Sequence, residues 1–291
     1  MFTHLSDLTK AIWFYIIAFG LVLSASLLAR QLNTDPGLAI MFTPLIAVLF
    51  MFFVVTRDGY SKAGWLSLGL HRAGFRSWGL ALLAPVCILA FAYGLVWSLG
   101  VGHFTWPSKN PIMSMAPTQI LMAVLFVLLA TMGEEIGWRG YLLPRLLVLG
   151  QTRALLLSGL MHGLFHLPLM LLTPFYHGLG NPMIVVPLFL LALTAAGVWY
   201  GYLRLTSQSA WPAAVAHTSL NIFAEQFADV TLTASPLALE YLVGESGVLT
   251  LFGIVLCVSC LIYRLNRQQP EAAVAPATAS AILMNFDQQI R

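Results

Sequence analysis

Long apolar runs separated by short polar breaks dominate the chain, and they predict its architecture. Each run is near the length of about 20 residues with which a helix crosses a bilayer. The run at Trp211–Phe227 is the weakest of them. The eight runs are Ala11–Ala29, Gly37–Val55, Trp78–Leu99, Thr118–Met132, Ala154–Leu172, Met183–Leu203, Trp211–Phe227 and Gly247–Tyr263.

None of these runs alternates between apolar and polar residues as the strands of a membrane barrel do. Because lipid cannot hydrogen-bond to backbone N–H and C=O groups, these groups must bond within the chain. The pattern therefore predicts an all-α fold, a polytopic transmembrane helix bundle of about eight spans. We expect residues 1–267 to form a single integral membrane domain. The segment 268–291 is rich in Ala, Pro and Gln, and we expect it to be disordered.

Composition agrees with a membrane protein and excludes one class of partner. Hydrophobic residues make up 59% of the 291 residues and charged residues only 9%, whereas a soluble domain is about a quarter charged. The net charge of +3 provides no basic face for a phosphate backbone, so nucleic-acid binding is not expected. The lipid bilayer is the expected surrounding, and the sequence indicates no oligomeric state.

The distribution of Lys and Arg predicts the orientation, because cytoplasmic loops carry an excess of them. With cytoplasmic N- and C-termini, twelve of the fourteen fall on the cytoplasmic side and only Arg30 and Lys109 fall outside. Compact loops and the lack of a eukaryotic retention signal favour the bacterial inner membrane. The acidic residues of the last external loop are Glu225, Asp229, Glu240 and Glu245.

Two adjacent carboxylates, Glu134 and Glu135, follow the fourth run, and ionisable groups inside a membrane usually mark a functional site. Glu135 and Arg139 are four residues apart and can pair on one helix face, which turns Glu134 toward another face. On residue type alone, a solvated helix end remains an equal alternative.

Two other spans carry polar residues at helical spacing. His162 and His166 share one face of the fifth span, beside Pro168, and His217 and Asn221 share one face of the seventh. The last pair alone would favour an interhelical hydrogen bond. Because several helices of one bundle turn polar groups inward, we expect them to converge on a cavity that opens to the cytoplasm.

The residue types in these three segments suit two chemistries. A carboxylate base with imidazole and amide donors suits amide hydrolysis, in which water is activated and a tetrahedral oxyanion is stabilised. Histidines with a carboxylate also suit a zinc site.

In order along the chain, these motifs resemble the CPBP (CAAX-protease and bacteriocin-processing, or Abi) family of intramembrane proteases, which includes the type-II CAAX prenyl endopeptidase. The motifs are Glu134-Glu135-x-x-x-Arg139, an aromatic-rich segment ending in His166-Leu-Pro, and His217-x-x-x-Asn221. The motif-bearing core is about 118–227. One position departs from the family pattern, because His162 stands where the second motif usually has Phe or Trp.

The resemblance implies a role for each of these residues. Glu134 and His166 would be the catalytic pair that activates water, and His217 and Asn221 would stabilise the oxyanion or orient other groups. Glu135 and Arg139 would form a supporting ion pair, and His162 would add a ligand or a proton carrier.

The metal dependence of the predicted protease stays open between two routes. The HExxH motif of soluble zinc proteases is absent, and Asn221 suits an oxyanion better than Zn²⁺, so we favour no cofactor. A metalloprotease is the alternative, with Zn²⁺ held by Glu134, His166 and His217.

The predicted activity is hydrolysis of a peptide bond in a membrane peptide or a prenylated, CAAX-like protein substrate. Two other functions use the same residues differently. A non-enzymatic membrane scaffold or bacteriocin-immunity factor would use them for helix packing. A proton- or metal-coupled transporter would use them as a relay, although the chain has no internal repeat.

Overall fold

A computed structural model of the chain describes residues 5–106, 115–173 and 179–268. Within these ranges almost every element is helical, and the predicted all-α class is confirmed. The described residues up to Val258 form one compact unit, which contains all the candidate site residues, and those from Ser259 onward belong to a second. Apart from Gln268, the predicted disordered tail lies outside the described residues, as does Lys109.

In the first half of the chain, the described residues form five α-helices and one short strand. Their bounds are α1 Asp7–Leu32, α2 Gly37–Met41, α3 Thr43–Phe50, α4 Lys62–Ser67, α5 Trp78–Ser98 and β1 His103–Phe104. Helix α3 continues as a π-helical segment, Met51–Val55, and short 3₁₀ turns lie at Asp58–Tyr60 and Phe75–Ser77.

The second half contains the remaining helices and the strand that pairs with β1. Their bounds are α6 Pro117–Glu135, α7 Leu143–Leu146, α8 Gln151–Phe165, α9 Leu167–Leu172, α10 Pro182–Ser207, α11 Trp211–Asp229, β2 Thr231–Leu232, α12 Pro236–Leu242 and α13 Val248–Gln268. A π-helical segment, Ile136–Leu142, joins α6 to α7, and a 3₁₀ turn, Leu147–Leu149, follows α7. Strands β1 and β2 are antiparallel.

Six stretches of the described chain are long and apolar enough, by length and composition, to cross a membrane. They are Asp7–Leu32, Gly37–Val55, Phe75–Ser98, Pro117–Leu149, Gln151–Leu172 and Pro182–Ser207. Helix α11 is not among them because polar residues line one of its faces, and α13 contributes a shorter apolar helix, Val248–Leu261. An all-α membrane bundle is therefore present, while the predicted number of eight spans stays a prediction.

The helix of the fourth predicted span continues past the end that the sequence predicts for it. The sequence places it at Met132, where charged residues begin, but α6 runs on through Glu135 into the π-helical segment and α7. The helix continues because the charged side chains at this point are buried against partners rather than hydrated. Two aromatic side chains of the π-helical segment, Trp138 and Tyr141, pack against Phe14 of α1 in the largest hydrophobic cluster.

Small residues allow α8 and α10 to pack closely beside the site. A Cβ atom on Gly197 would lie 2.4 Å from the Cα of Gly159, and one on Gly159 would lie 2.5 Å from the carbonyl oxygen of Thr194. Helix backbones in membranes approach this closely only where side chains are absent or small. The two glycines therefore set the spacing of the helices that carry the site's histidines and its cavity wall.

We expect Gly159→Ala to lower the thermal midpoint of the purified protein in detergent, because overpacking costs about 1–3 kcal/mol. The matched control is Gly94→Ala in α5, where a Cβ meets no atom within 4 Å. That change should leave the midpoint unchanged or raise it, since Ala is favoured over Gly inside a helix by about 0.5–1 kcal/mol. Equal effects of the two substitutions would contradict the close approach.

Candidate active site

The carboxylates Glu134 and Glu135 lie inside the bundle and not at a solvated helix end. Their residues are 3% and 0% exposed, and the π-helical segment that follows them carries Arg139, which is also fully buried. The solvated-end alternative is therefore wrong. Buried charges of this kind need partners, because an isolated carboxylate or guanidinium is strongly destabilised away from water.

Glu135 provides the central contact. Its Oε1 accepts hydrogen bonds from Nη1 of Arg139 and from Nδ1 of His217, each at 3.0 Å. Glu135 and Arg139 lie at ion-pair distance, as their spacing in the sequence leads us to expect. The bond to His217 connects α6 to α11. Since a carboxylate only accepts, Nδ1 of His217 carries a proton and Glu135 holds the orientation of the ring.

His162 lies between Arg139 and Glu134. Nη1 of Arg139 is 3.1 Å from Nδ1 of His162, and Nε2 of His162 is 2.8 Å from Oε2 of Glu134. A guanidinium can only donate, so Nδ1 of His162 must accept and its proton must be on Nε2. His162 is therefore a neutral imidazole that donates to Glu134.

The ring of His166 follows one helical turn later, where α8 ends and α9 begins. Its Nδ1 donates to the carbonyl oxygen of His162 at 3.0 Å, so Nε2 is the nitrogen that carries the lone pair. Pro168 lacks an N–H group, and the backbone N–H of His166 bonds to Gly163, three residues back, in a tightened turn. The regular helical hydrogen-bond pattern is therefore interrupted next to the site.

Two aromatic rings complete the site, and sequence reasoning did not assign either of them a role in it. Trp138 stacks on His162 with ring centroids 4.9 Å apart, and Tyr200 of α10 stacks on His217 at 5.4 Å. The guanidinium of Arg139 lies 5.1 Å from the centroid of the Tyr200 ring. Trp138 lies within the first motif, but no spacing rule indicates Tyr200, which comes from a helix without a motif.

One group of residues brings enough ligand atoms together to hold a metal ion. Atoms of Glu134, His162 and His166 lie within 4.8 Å of one another. The set expected from the sequence has His217 in place of His162, but Nδ1 of His217 faces Glu135. The structure thus favours His162 over His217 as the third member of any ligand set.

The protonation state of His162 does not suit a metal in this arrangement. Zinc binds the lone pair of a neutral imidazole, and Nε2 of His162 carries a proton directed at Glu134. Moving that proton to Nδ1 would place it against the guanidinium of Arg139, 3.1 Å away, with two donors facing each other. The residue types fit zinc, and the hydrogen-bond pattern around them does not.

A cavity of about 590 Å³ connects these groups to the surface. Glu134, His162 and His166 line its inner part, and His217 and Asn221 line it on successive turns of α11. This volume is in the range of ligand-binding cavities, about 300–1,000 Å³. The cavity is large enough to admit a segment of a peptide beside the buried carboxylate.

The outer part of the cavity is acidic. Asp35, Glu225 and Glu245 line it, and Asp35 and Glu225 are exposed. Burial raises the pKa of the Glu245 carboxyl, an effect that His217 opposes and Glu225 reinforces. These residues lie at the end of the bundle where α1 and α11 end, away from the basic loops. A cytoplasmic N-terminus and a cavity opening to the cytoplasm, both expected from the sequence, are therefore incompatible.

Residues 116–223 match the family described as Type II CAAX prenyl endopeptidase Rce1-like. This segment contains α6, the π-helical segment, α7 to α10 and most of α11, and it includes every candidate site residue. The resemblance to the CPBP, or CAAX-protease, family is confirmed for this segment, and a protease of the membrane is the class that it implies. No curated protein matches the chain.

We expect Glu135→Gln to lower the free energy of unfolding by about 3–5 kcal/mol, because it leaves the guanidinium of Arg139 buried without a counter-charge. The control is Lys10→Gln, which breaks a 3.6 Å pair with Asp58 near the surface. That loss should not exceed about 1 kcal/mol. Denaturant unfolding in detergent measures both, and equal losses would contradict the central role of Glu135.

Proposed function

We propose that the protein is an intramembrane endopeptidase that hydrolyses a peptide bond of a membrane-associated or lipid-anchored substrate. This proposal rests mainly on the buried carboxylate of Glu134, which lies at the inner part of the cavity and within 4.8 Å of two imidazoles. Its location inside the family-matched segment supports a hydrolytic role over a structural one.

In this proposal Glu134 is the general base. His162 donates to Oε2, so Oε1 is the oxygen that takes a proton from water. His166 accepts a hydrogen bond from the same water through Nε2 and holds it against the substrate. The oxygen of this water forms the new bond to the carbonyl carbon, and the proton held on Glu134 later passes to the amine that leaves.

His217 and Asn221 stabilise the oxyanion of the tetrahedral intermediate in this mechanism. The Nδ1 proton of His217 is directed at Glu135. When Nε2 also carries a proton, the ring is a cation, which the Glu135 carboxylate stabilises and which can donate to the oxyanion. Asn221 lines the same cavity one turn further along α11 and supplies an amide donor. The intermediate collapses when the C–N bond breaks.

No metal is needed in this proposal, because the chain supplies the base that activates the solvent water and the donors that stabilise the oxyanion. If Zn²⁺ were bound, the residues nearest to one another for it would be Glu134, His162 and His166, and the ion would polarise the substrate carbonyl. The contact of Arg139 with Nδ1 of His162 opposes that arrangement.

We expect Glu134→Gln and His166→Ala each to reduce cleavage of membrane peptides by about 10²–10⁴-fold, the usual contribution of a positioned acid–base group. The assay uses purified protein in detergent with labelled peptides, prenylated and non-prenylated. The control is Asp7→Asn, an exposed carboxyl in the first turn of α1, which should leave the rate unchanged. A scaffold would instead show no cleavage by a stably folded wild type, which would sink the proposal.

We expect a zinc chelator to leave the rate of cleavage unchanged. The control adds Zn²⁺ back after dialysis, which should not raise the rate. Loss of activity on chelation with recovery on adding Zn²⁺ would assign Glu134, His162 and His166 as metal ligands, and would replace the metal-free mechanism while keeping the protease.

A further inference from the structure

The course of the cavity can be followed along α11. His217, Asn221, Glu225 and Ala228 all line it, and they lie on successive turns of that helix. With a rise of 1.5 Å per residue, the cavity follows α11 for about 16 Å toward the helix's C-terminal end. Glu225 and Ala228 are exposed, so the cavity reaches the surface there.

Other elements confirm which end of the bundle this is. Asp35, just beyond the end of α1, lines the same cavity as Ala228 near the end of α11. Strand β1, which follows α5, pairs with β2, which follows α11. The segments after α1, α5 and α11 therefore lie together at one end of the bundle, and the cavity opens among them.

The opposite end is held together by different loops. Nη2 of Arg204 donates to the carbonyl oxygen of Ser67 at 3.1 Å, and Nε1 of Trp211 donates to that of Leu70 at 3.1 Å. Asp58 lies 3.6 Å from Nζ of Lys10. The start of α1, the loops on either side of α4 and the turn between α10 and α11 thus share this end.

The basic residues are distributed very unevenly between the two ends of the bundle. Within the described ranges, Arg30 is the one Lys or Arg at the end where the cavity opens. Since Lys and Arg are enriched in cytoplasmic loops, the basic end faces the cytoplasm. The basic end carries Lys10, Arg57, Lys62, Arg72, Arg76, Arg145, Arg153 and Arg204.

We propose that the cavity is entered from the non-cytoplasmic side of the membrane. This inference rests on the proposed protease function and names its substrate class, a membrane-attached peptide segment exposed on that side. A cytoplasmic C-terminus would have to cross the bilayer to reach Glu134. The acidic outer part of the cavity, formed by Asp35, Glu225 and Glu245, is then the first surface that the substrate meets.

Two alanines provide a matched test of the side of the membrane on which the cavity opens. Ala228 is exposed and lines the opening, and Ala63 is exposed on α4 at the basic end. In a background in which Cys87, Cys257 and Cys260 are replaced by Ser, Ala228→Cys and Ala63→Cys are expressed in bacterial cells. Each is treated with a membrane-impermeant maleimide before and after permeabilisation.

We expect Ala228→Cys to react in intact cells and Ala63→Cys to react only after permeabilisation. The reverse pattern, or reaction of both in intact cells, would overturn the assigned side. Failure of Ala228→Cys to react under either condition would overturn the opening itself, provided that the variant keeps the thermal midpoint of the Cys-free protein.

A second measurement tests whether this opening admits substrate. A bulky maleimide on Ala228→Cys in purified protein should reduce peptide cleavage at least tenfold, while the same label on Ala63→Cys should leave it unchanged. Unchanged cleavage with labelled Ala228→Cys would overturn the entrance. Cleavage by the unlabelled protein in detergent does not depend on orientation, so it tests the protease separately.

Discussion

The site depends on the buried carboxylate of Glu135, which accepts from a guanidinium and an imidazole through one oxygen. It offsets the charge of Arg139, whose side chain is fully buried, and it orients His217 on a different helix. Arg139 in turn contacts Nδ1 of His162, and His162 contacts Glu134. The geometry of the proposed base therefore follows from a carboxylate that does not itself face the substrate. Removing the Glu135 carboxylate would break the bond between α6 and α11 and would leave the buried charge of Arg139 without its ion-pair partner.

Much of this arrangement follows from spacing along single helices. The four-residue interval between Glu135 and Arg139 predicts their pairing, and the interval between His162 and His166 predicts a shared face, because a helix turns every 3.6 residues. Spacing does not predict how one helix is rotated against another. That rotation decides that His217 meets Glu135 and that His162 meets Glu134, so it determines which histidine accompanies Glu134 and His166 as a potential ligand.

Hydropathy also has a physical limit as a guide to where a span ends. A drop in hydropathy at Glu134 indicates a membrane boundary only if each charged side chain there is hydrated separately. Here Glu135 is hydrogen-bonded to both Arg139 and His217, and the helix continues past Glu135 through the π-helical segment. The drop in hydropathy here therefore marks a cluster of buried polar partners and not a solvated helix end. Tyr200 gave no signal at all, because its role comes from stacking between helices.

At His162 the chain departs from the pattern of the family that it resembles, and the ring of this residue still makes an aromatic contact. The family usually places an aromatic ring at that position, and the imidazole of His162 still stacks on Trp138, with ring planes 28° apart. Unlike Phe or Trp, it also accepts from Arg139 and donates to Glu134. The same hydrogen bonds that orient the carboxylate oppose metal binding through Nε2. A residue that looks from its type like an added zinc ligand is, in its surroundings, better suited to hold a general base in position.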